Sequence, residues 1–209
     1  MAADIFESYE VTIVAAMILG LASFGHKGVI FPLLVRGIGV IGSIISTYTV
    51  KAGADATSDT ALKSVHRGFW IGSTISIIGF VLLGLFYLHF DATYLSQNTM
   101  AKYGFPGQDP ANLPFWANFG IEGLDMRPAL TCFIGVILAI ALNKATSYFT
   151  HTSHSPVKSL ARSCQTGHAT NIIQGFAVGY ESTVVAILVI AVAILLSVLC
   201  YTGTPPLFI

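Results

Sequence analysis

Long apolar runs separated by short polar stretches set the pattern of this 209-residue chain. Five runs read as membrane-spanning helices: about Ala3–Gly25, Val29–Val50, Phe69–Phe90, Pro128–Thr150 and His168–Cys200. A helix of about 22 residues is about 33 Å long, enough to cross a ~30 Å hydrocarbon core. The fifth run is too long for a simple crossing, so it either tilts or stands partly in water. His26, Lys27 and Gly28 are all that separate the first two runs, which makes them a tight helical hairpin. In the second, Gly39, Gly42, Ser43 and Ser46 form a narrow face that admits a neighbouring helix closely, and Pro32 sits near the helix start.

The intervening stretches are polar. Ala61–Arg67 reads as a helical lead-in to the third span, with Asp59 or Thr60 as its N-cap. Asp91–Arg127 is the longest non-spanning stretch, and Pro106, Pro110 and Pro114 argue against regular structure in it. His151–Gly167 reads as a short polar loop carrying Lys158 and Arg162. Lys51, Lys63 and Arg67 fall on the same side as Lys158 and Arg162, against Lys27, Lys102 and Arg127 opposite. That bias puts the two short loops and the first residues in the cytoplasm, with the first span running outward.

Composition agrees with a polytopic all-α membrane bundle: 54% hydrophobic residues, 10% charged and a mean hydropathy of +0.75. Net charge is zero and the basic residues are scattered, so no nucleic-acid footprint exists. Three widely spaced cysteines, Cys132, Cys164 and Cys200, suggest neither a disulfide framework nor a metal knuckle. His151, His154 and His168 lack a metal-ligand spacing, and no phosphate loop or nucleophile elbow appears.

Candidate chemistry concentrates at the mouth of the first span. On a helix, Asp4 and Glu7 lie about 60° apart and Ser8 about 40° from Asp4. The three share a face able to surround a cation or pass a proton, because two close carboxylates repel until a proton, cation or basic group intervenes. The same acids also fit a helix N-terminus standing in water, favoured by the helix dipole. Arg36, inside the second span, must snorkel or meet a carboxylate. Glu181, inside the fifth, is either functional or paired with a basic residue on another helix, with Arg36 a possible intramembrane partner.

Four stretches resemble the membrane-bound pyrophosphatases, pumps that couple pyrophosphate hydrolysis to export of H⁺ or Na⁺. They are Met1–Tyr9 (MAADIFESY), Phe31–Arg36 (FPLLVR), Thr166–Ile173 (TGHATNII) and Gly175–Ser182 (GFAVGYES), in the family's order. The match runs over nearly all of residues 1–209 and is poorest in Asp91–Arg127. The resemblance implies a partial pyrophosphatase domain, since members have about sixteen spans against the five that a ~1.5 Å rise and a ~30 Å core allow here. These would be the sixth to tenth, with Met1 falling inside an acidic motif and the family's pyrophosphate and Mg²⁺ sites built by residues outside this chain. It further implies that Asp4 matches the family's ion-gate aspartate, Glu7 its gate glutamate and Ser8 a neighbouring gate ligand, with basic partners on other helices. No catalytic residue and no metal ligand is then expected within residues 1–209, and the isolated chain is expected to be inactive. A homodimer in a lipid bilayer, the bacterial inner (plasma) membrane, is the implied setting. Glu7 suits either H⁺ or Na⁺. The alternatives are a Na⁺-translocating member of the same family and a non-enzymatic helical membrane subunit or remnant. A secondary transporter lacks support, as no inverted repeat is visible.

Overall fold

The structure is a computed structural model that describes residues 2–51, 58–90, 94 and 115–201. It is an all-helical assembly. In chain order the helices are α1 (Ala2–Phe24), α2 (His26–Thr49), α3 (Ser58–Tyr87), α4 (Phe115–Asn118), α5 (Arg127–Thr150), α6 (Ser155–Ser163) and α7 (His168–Cys200). Five helical segments are long and apolar enough to cross a membrane: Phe6–Phe24, His26–Thr49, Thr60–Tyr87, Arg127–Ser163 and His168–Cys200. The polytopic, five-span helical class expected from the sequence is the class observed. The chain forms two compact units, Met1–Cys132 with Tyr201–Ile209, and Phe133–Cys200.

In the first unit, α1 and α2 form an antiparallel hairpin whose turn is the single residue Gly25, at φ 63°. That left-handed conformation suits a glycine. His26, Lys27 and Gly28 belong to α2 rather than to the connection. The two helices touch backbone to backbone where Gly20 meets Gly28, and a Cβ on either would strike the other's carbonyl oxygen. Because α2 begins at His26, Pro32 sits in its second turn and not in its first. Pro32 has no N–H for the Gly28 carbonyl, and that carbonyl is the one facing Gly20.

Helices α2 and α3 pack through small residues in an antiparallel register. Gly42 lies against Gly72 and Ser76, Ser46 against Gly72, Ile38 over Gly79 and Val50 over Gly68. Steps of about four residues on both partners make one continuous ridge, and the absence of side chains there admits close approach. Gly42 and Ser46 thus belong to the contact face. Gly39 does not, as nothing would meet a Cβ there within 4 Å. The lead-in Ala61–Arg67 is helical and continuous with the third span; Asp59 and Thr60 lie inside α3 rather than capping it.

The core gathers at one end of this unit. Phe24, Phe31, Leu88, Phe90, Leu124, Met126 and Ala129 form it, flanked by Tyr87, Tyr94, Cys132 and Tyr201. These residues come from the α1–α2 turn, the end of α3, the start of α5 and the residue after α7. The segment 115–127, expected to be irregular, is a compact turn structure. The helix α4 leads into left-handed Phe119 and the glycines Gly120 (φ 76°) and Gly123 (φ 78°). His89 and Leu124 then make an antiparallel bridge. Of the rest of the expected loop, residues 91–93 and 95–114 lie outside the described residues.

In the second unit α6 leans on the first turns of α7. Gln174 Nε2 donates to Ser159 Oγ at 3.1 Å, Thr170 Oγ1 to the Ser163 carbonyl at 3.2 Å, and Leu160 lies below Gly175. The stretch expected to be a polar loop therefore contains a helix.

Candidate functional site

The three residues of the candidate gate all fall within the first two turns of α1. Glu7 and Ser8 are exposed, Tyr9 is half-buried, and the Asp4 side chain lies outside the described part of the molecule. The Ser8 carbonyl accepts a second hydrogen bond, from Thr12 Oγ1 at 2.6 Å. Among the described residues no basic side chain lies within ion-pairing distance of Glu7; the ion pair they form is Asp125–Arg127.

Arg36 reaches back across the hairpin to this turn. Its guanidinium carbon stands 3.1 Å from the centroid of the Tyr9 ring. A cation over an aromatic face is stabilised by the ring quadrupole. Arg36 thus meets an aromatic ring, beside Ser8, where the sequence suggested a carboxylate or free snorkelling. A cavity of about 670 Å³ extends from Thr12 and Arg36 past Gly20 and Phe31 to Tyr201. Its walls are mainly apolar, with Arg36 the one charged residue lining it, which is poor chemistry for a multiply charged phosphate.

Glu181 is exposed on α7 in the second unit. It stands about 28 Å along the helix from Cys200, close to the ~30 Å thickness of a hydrocarbon core. Ser182 and Thr183 bend their hydroxyls back to the Gly179 carbonyl, at 2.8 and 2.9 Å. The described residues contain no group of three His, Cys, Asp or Glu side chains placed to hold a metal ion.

The polar feature that sequence reasoning missed is the capped end. Asp125 and Arg127 are 3% and 2% exposed and form a bidentate ion pair. Arg127 Nε donates to Oδ1 at 2.9 Å and a terminal nitrogen to Oδ2 at 2.6 Å, while the Arg127 N–H also donates to Oδ1 at 3.0 Å. Tyr201 covers the guanidinium at 5.0 Å. Burial, and then the Asp125 carboxylate, hold the Tyr201 hydroxyl well above its usual range, with Arg127 opposing them. On the α2 side, Lys27 Nζ donates to the His89 carbonyl at 2.6 Å and lies over the rings of Phe90 and Tyr94. The available signal was Asp125 just ahead of an Arg-Pro helix start, with glycines at the preceding turns.

Helices of this length, clad in apolar side chains and closed at one end by a polar-cored cap, define a polytopic membrane protein with an acidic stretch in its first helix. The family model for inorganic H⁺ pyrophosphatase matches residues 1–208, and the chain belongs to that family. Its relatives include the K(+)-insensitive pyrophosphate-energized proton pump of Chloroflexus aurantiacus, 37% identical over 98% of this chain and 24% of the relative. The proteins of the same name from Streptomyces coelicolor and Streptomyces avermitilis are 36% and 34% identical, each over 93% of this chain and 22% of theirs. The chain spans about a quarter of the length of these relatives.

Proposed function

We propose that this chain forms part of a pyrophosphate-energised proton pump, and that Asp4, Glu7 and Ser8 are one wall of its ion gate. The observation that carries this reading is the exposed Glu7–Ser8 face on a membrane-length helix, with no basic partner for Glu7 among the described residues. A carboxylate at the edge of hydrocarbon costs several kcal/mol unless it is paired, hydrated or protonated. Such a face is built to receive groups from elsewhere in a larger protein. Asp4 and Glu7 share one face by helical rotation, where a proton and a basic side chain could take turns as their partner. Pairing with an incoming basic side chain would drive that proton off, and loss of the partner would restore it. Hydrolysis on the cytoplasmic side would control that pairing. Arg36 is held over Tyr9 next to this face, and Glu181 is a candidate for intramembrane pairing with Arg36 or another basic residue.

The relatives are named for proton transport without potassium dependence, which supports H⁺ over Na⁺ and K⁺-insensitivity. Mg²⁺, which would neutralise pyrophosphate charge, would have its ligands on other parts of the pump, and no step is assigned to it within this chain. A homodimer in the bacterial inner (plasma) membrane, and residues 1–209 as one partial pyrophosphatase domain, complete the reading. The test is Asp4→Ala in the whole pump, reconstituted in vesicles and followed by a pH-sensitive dye. Proton uptake should collapse, by an order of magnitude or more, while a Na⁺ gradient changes nothing. Uptake at the parental rate would remove Asp4 from the gate.

A further inference from the structure

Helices α1 and α2 are tied together at two levels, and both ties lie on one seam of α1. Tyr9, Ile13, Ala16 and Gly20 are half-buried, at the i, i+4, i+7, i+11 spacing of a single helix face. By rotation Tyr9 and Gly20 lie about 20° apart on that face. Gly20 meets the Gly28 backbone beside the turn. About 16 Å further along α1, by its rise per residue, Arg36 of α2 stands over the Tyr9 ring, 3.1 Å from its centroid. Between the two ties the facing residues, Thr12 and Ala16 on α1 and Pro32 and Val35 on α2, line the apolar cavity. Among the described residues no carboxylate lies within ion-pairing distance of Arg36.

The seam decides where the rest of that turn of α1 points. At about 100° per residue, Glu7 lies about 160° round the helix from Tyr9, and Ser8 about 100°. With Tyr9 held against α2, both stand off the seam, and both are exposed. A helix held only at Gly20 and Gly28 is free to swing and turn at its far end. A second hold about three turns away removes that freedom. The hold is a cation over a neutral ring, so it does not lapse when a neighbouring acid gains or loses a proton.

We infer that Arg36 is a positioning residue: held over Tyr9, it fixes the rotation of the first turns of α1 and so keeps Glu7 and Ser8 facing away from α2, toward the groups that complete the gate. The inference rests on the gate reading above and gives Arg36 no contact with the proton itself. It is tested in the whole pump in vesicles, with proton uptake and pyrophosphate hydrolysis both measured and their ratio as the readout. Arg36→Gln and Tyr9→Leu should each lower that ratio about two-fold or more, the equivalent of one cation–π contact. Arg36→Lys and Tyr9→Phe, which keep a cation and a ring, should hold it near the parental value. Combined in one protein, Arg36→Gln and Tyr9→Leu should do no more harm than either alone, as two halves of one contact do. A parental ratio in Arg36→Gln, or losses that multiply in the double variant, would overturn the inference. So would uptake and hydrolysis falling together at a constant ratio, the mark of a merely structural contact. Should Arg36→Gln not assemble, Tyr9→Leu against Tyr9→Phe decides in the same way. Asp4→Ala separates this inference from the reading beneath it. Normal pumping in Asp4→Ala removes the gate assignment, whereas its collapse beside a parental ratio in Arg36→Gln removes the role of Arg36 alone.

Discussion

The two ends of the first unit solve opposite problems. At the end that holds the α1–α2 turn the chain satisfies itself: Leu124 is fully buried, Asp125 and Arg127 neutralise each other, and Phe24 stacks on Phe90 at 5.1 Å. Backbone groups are paired as well, Asp125 N–H to the Leu88 carbonyl at 3.0 Å and Met126 N–H to Ala117 at 2.8 Å. At the other end α1 stands bare, with Phe6 63% and Val11 64% exposed and Glu7 without a basic partner among the described residues. The contrast teaches where rigidity and chemistry reside. A segment that completes its own polar network at one end holds its helices in register there. The end it leaves unsatisfied is, on the reading proposed above, the end that the rest of the pump completes.

The comparison breaks first, if it breaks, at the ion pair. Asp125→Ala would leave Arg127 charged and enclosed, and losing one partner of a buried pair costs about 3–5 kcal/mol. The expected result is a large fall in the thermal unfolding temperature of the protein in nanodiscs. The apolar double replacement Asp125→Leu/Arg127→Met should recover most of it, since a well-packed apolar pair is often neutral relative to a buried ion pair. An unchanged temperature for Asp125→Ala would mean that the cap does not fix this end. Next comes Gly28→Ala, whose Cβ would meet the Gly20 backbone. Helix backbones cannot yield as a side chain can, so overpacking of about 1–3 kcal/mol is expected, read by the same unfolding measurement.

Sequence alone disclosed what local chemistry decides. Each span is a continuous apolar run, and the shared face of Asp4, Glu7 and Ser8 follows from helical rotation. Gly42 and Ser46 were visible as a small-residue face, but only the register with Gly72 and Ser76 shows that Gly39 is not part of it. Arg36 called for a partner, yet Tyr9 is brought to it by the turn at Gly25, which no local pattern in the second span contains. The cap was least legible. Asp125 and Arg127 read as two loop charges, because their burial depends on Phe90 N–H pairing with Gly123 and on Tyr201, the latter far away in sequence. The α6 helix was hidden for a different reason: its nine residues carry too few apolar positions to stand out between two long spans.

The finest discrimination is at the open end. Glu7→Gln removes a charge but keeps nearly the same shape, on a face that touches no described basic group. Substitutions on such exposed positions ordinarily leave stability almost unchanged. The unfolding temperature of this chain should therefore not move, in contrast to the Asp125→Ala variant. On the gate reading proposed above, the same substitution in the whole pump should lower the proton-to-pyrophosphate ratio, because a neutral amide removes the charge that an incoming basic side chain would meet. Stability and coupling would then separate by position, stability with the cap and coupling with the mouth. A Glu7→Gln protein that unfolds as easily as Asp125→Ala would show that the mouth, too, is held together within this chain, and the contrast between the two ends would be lost.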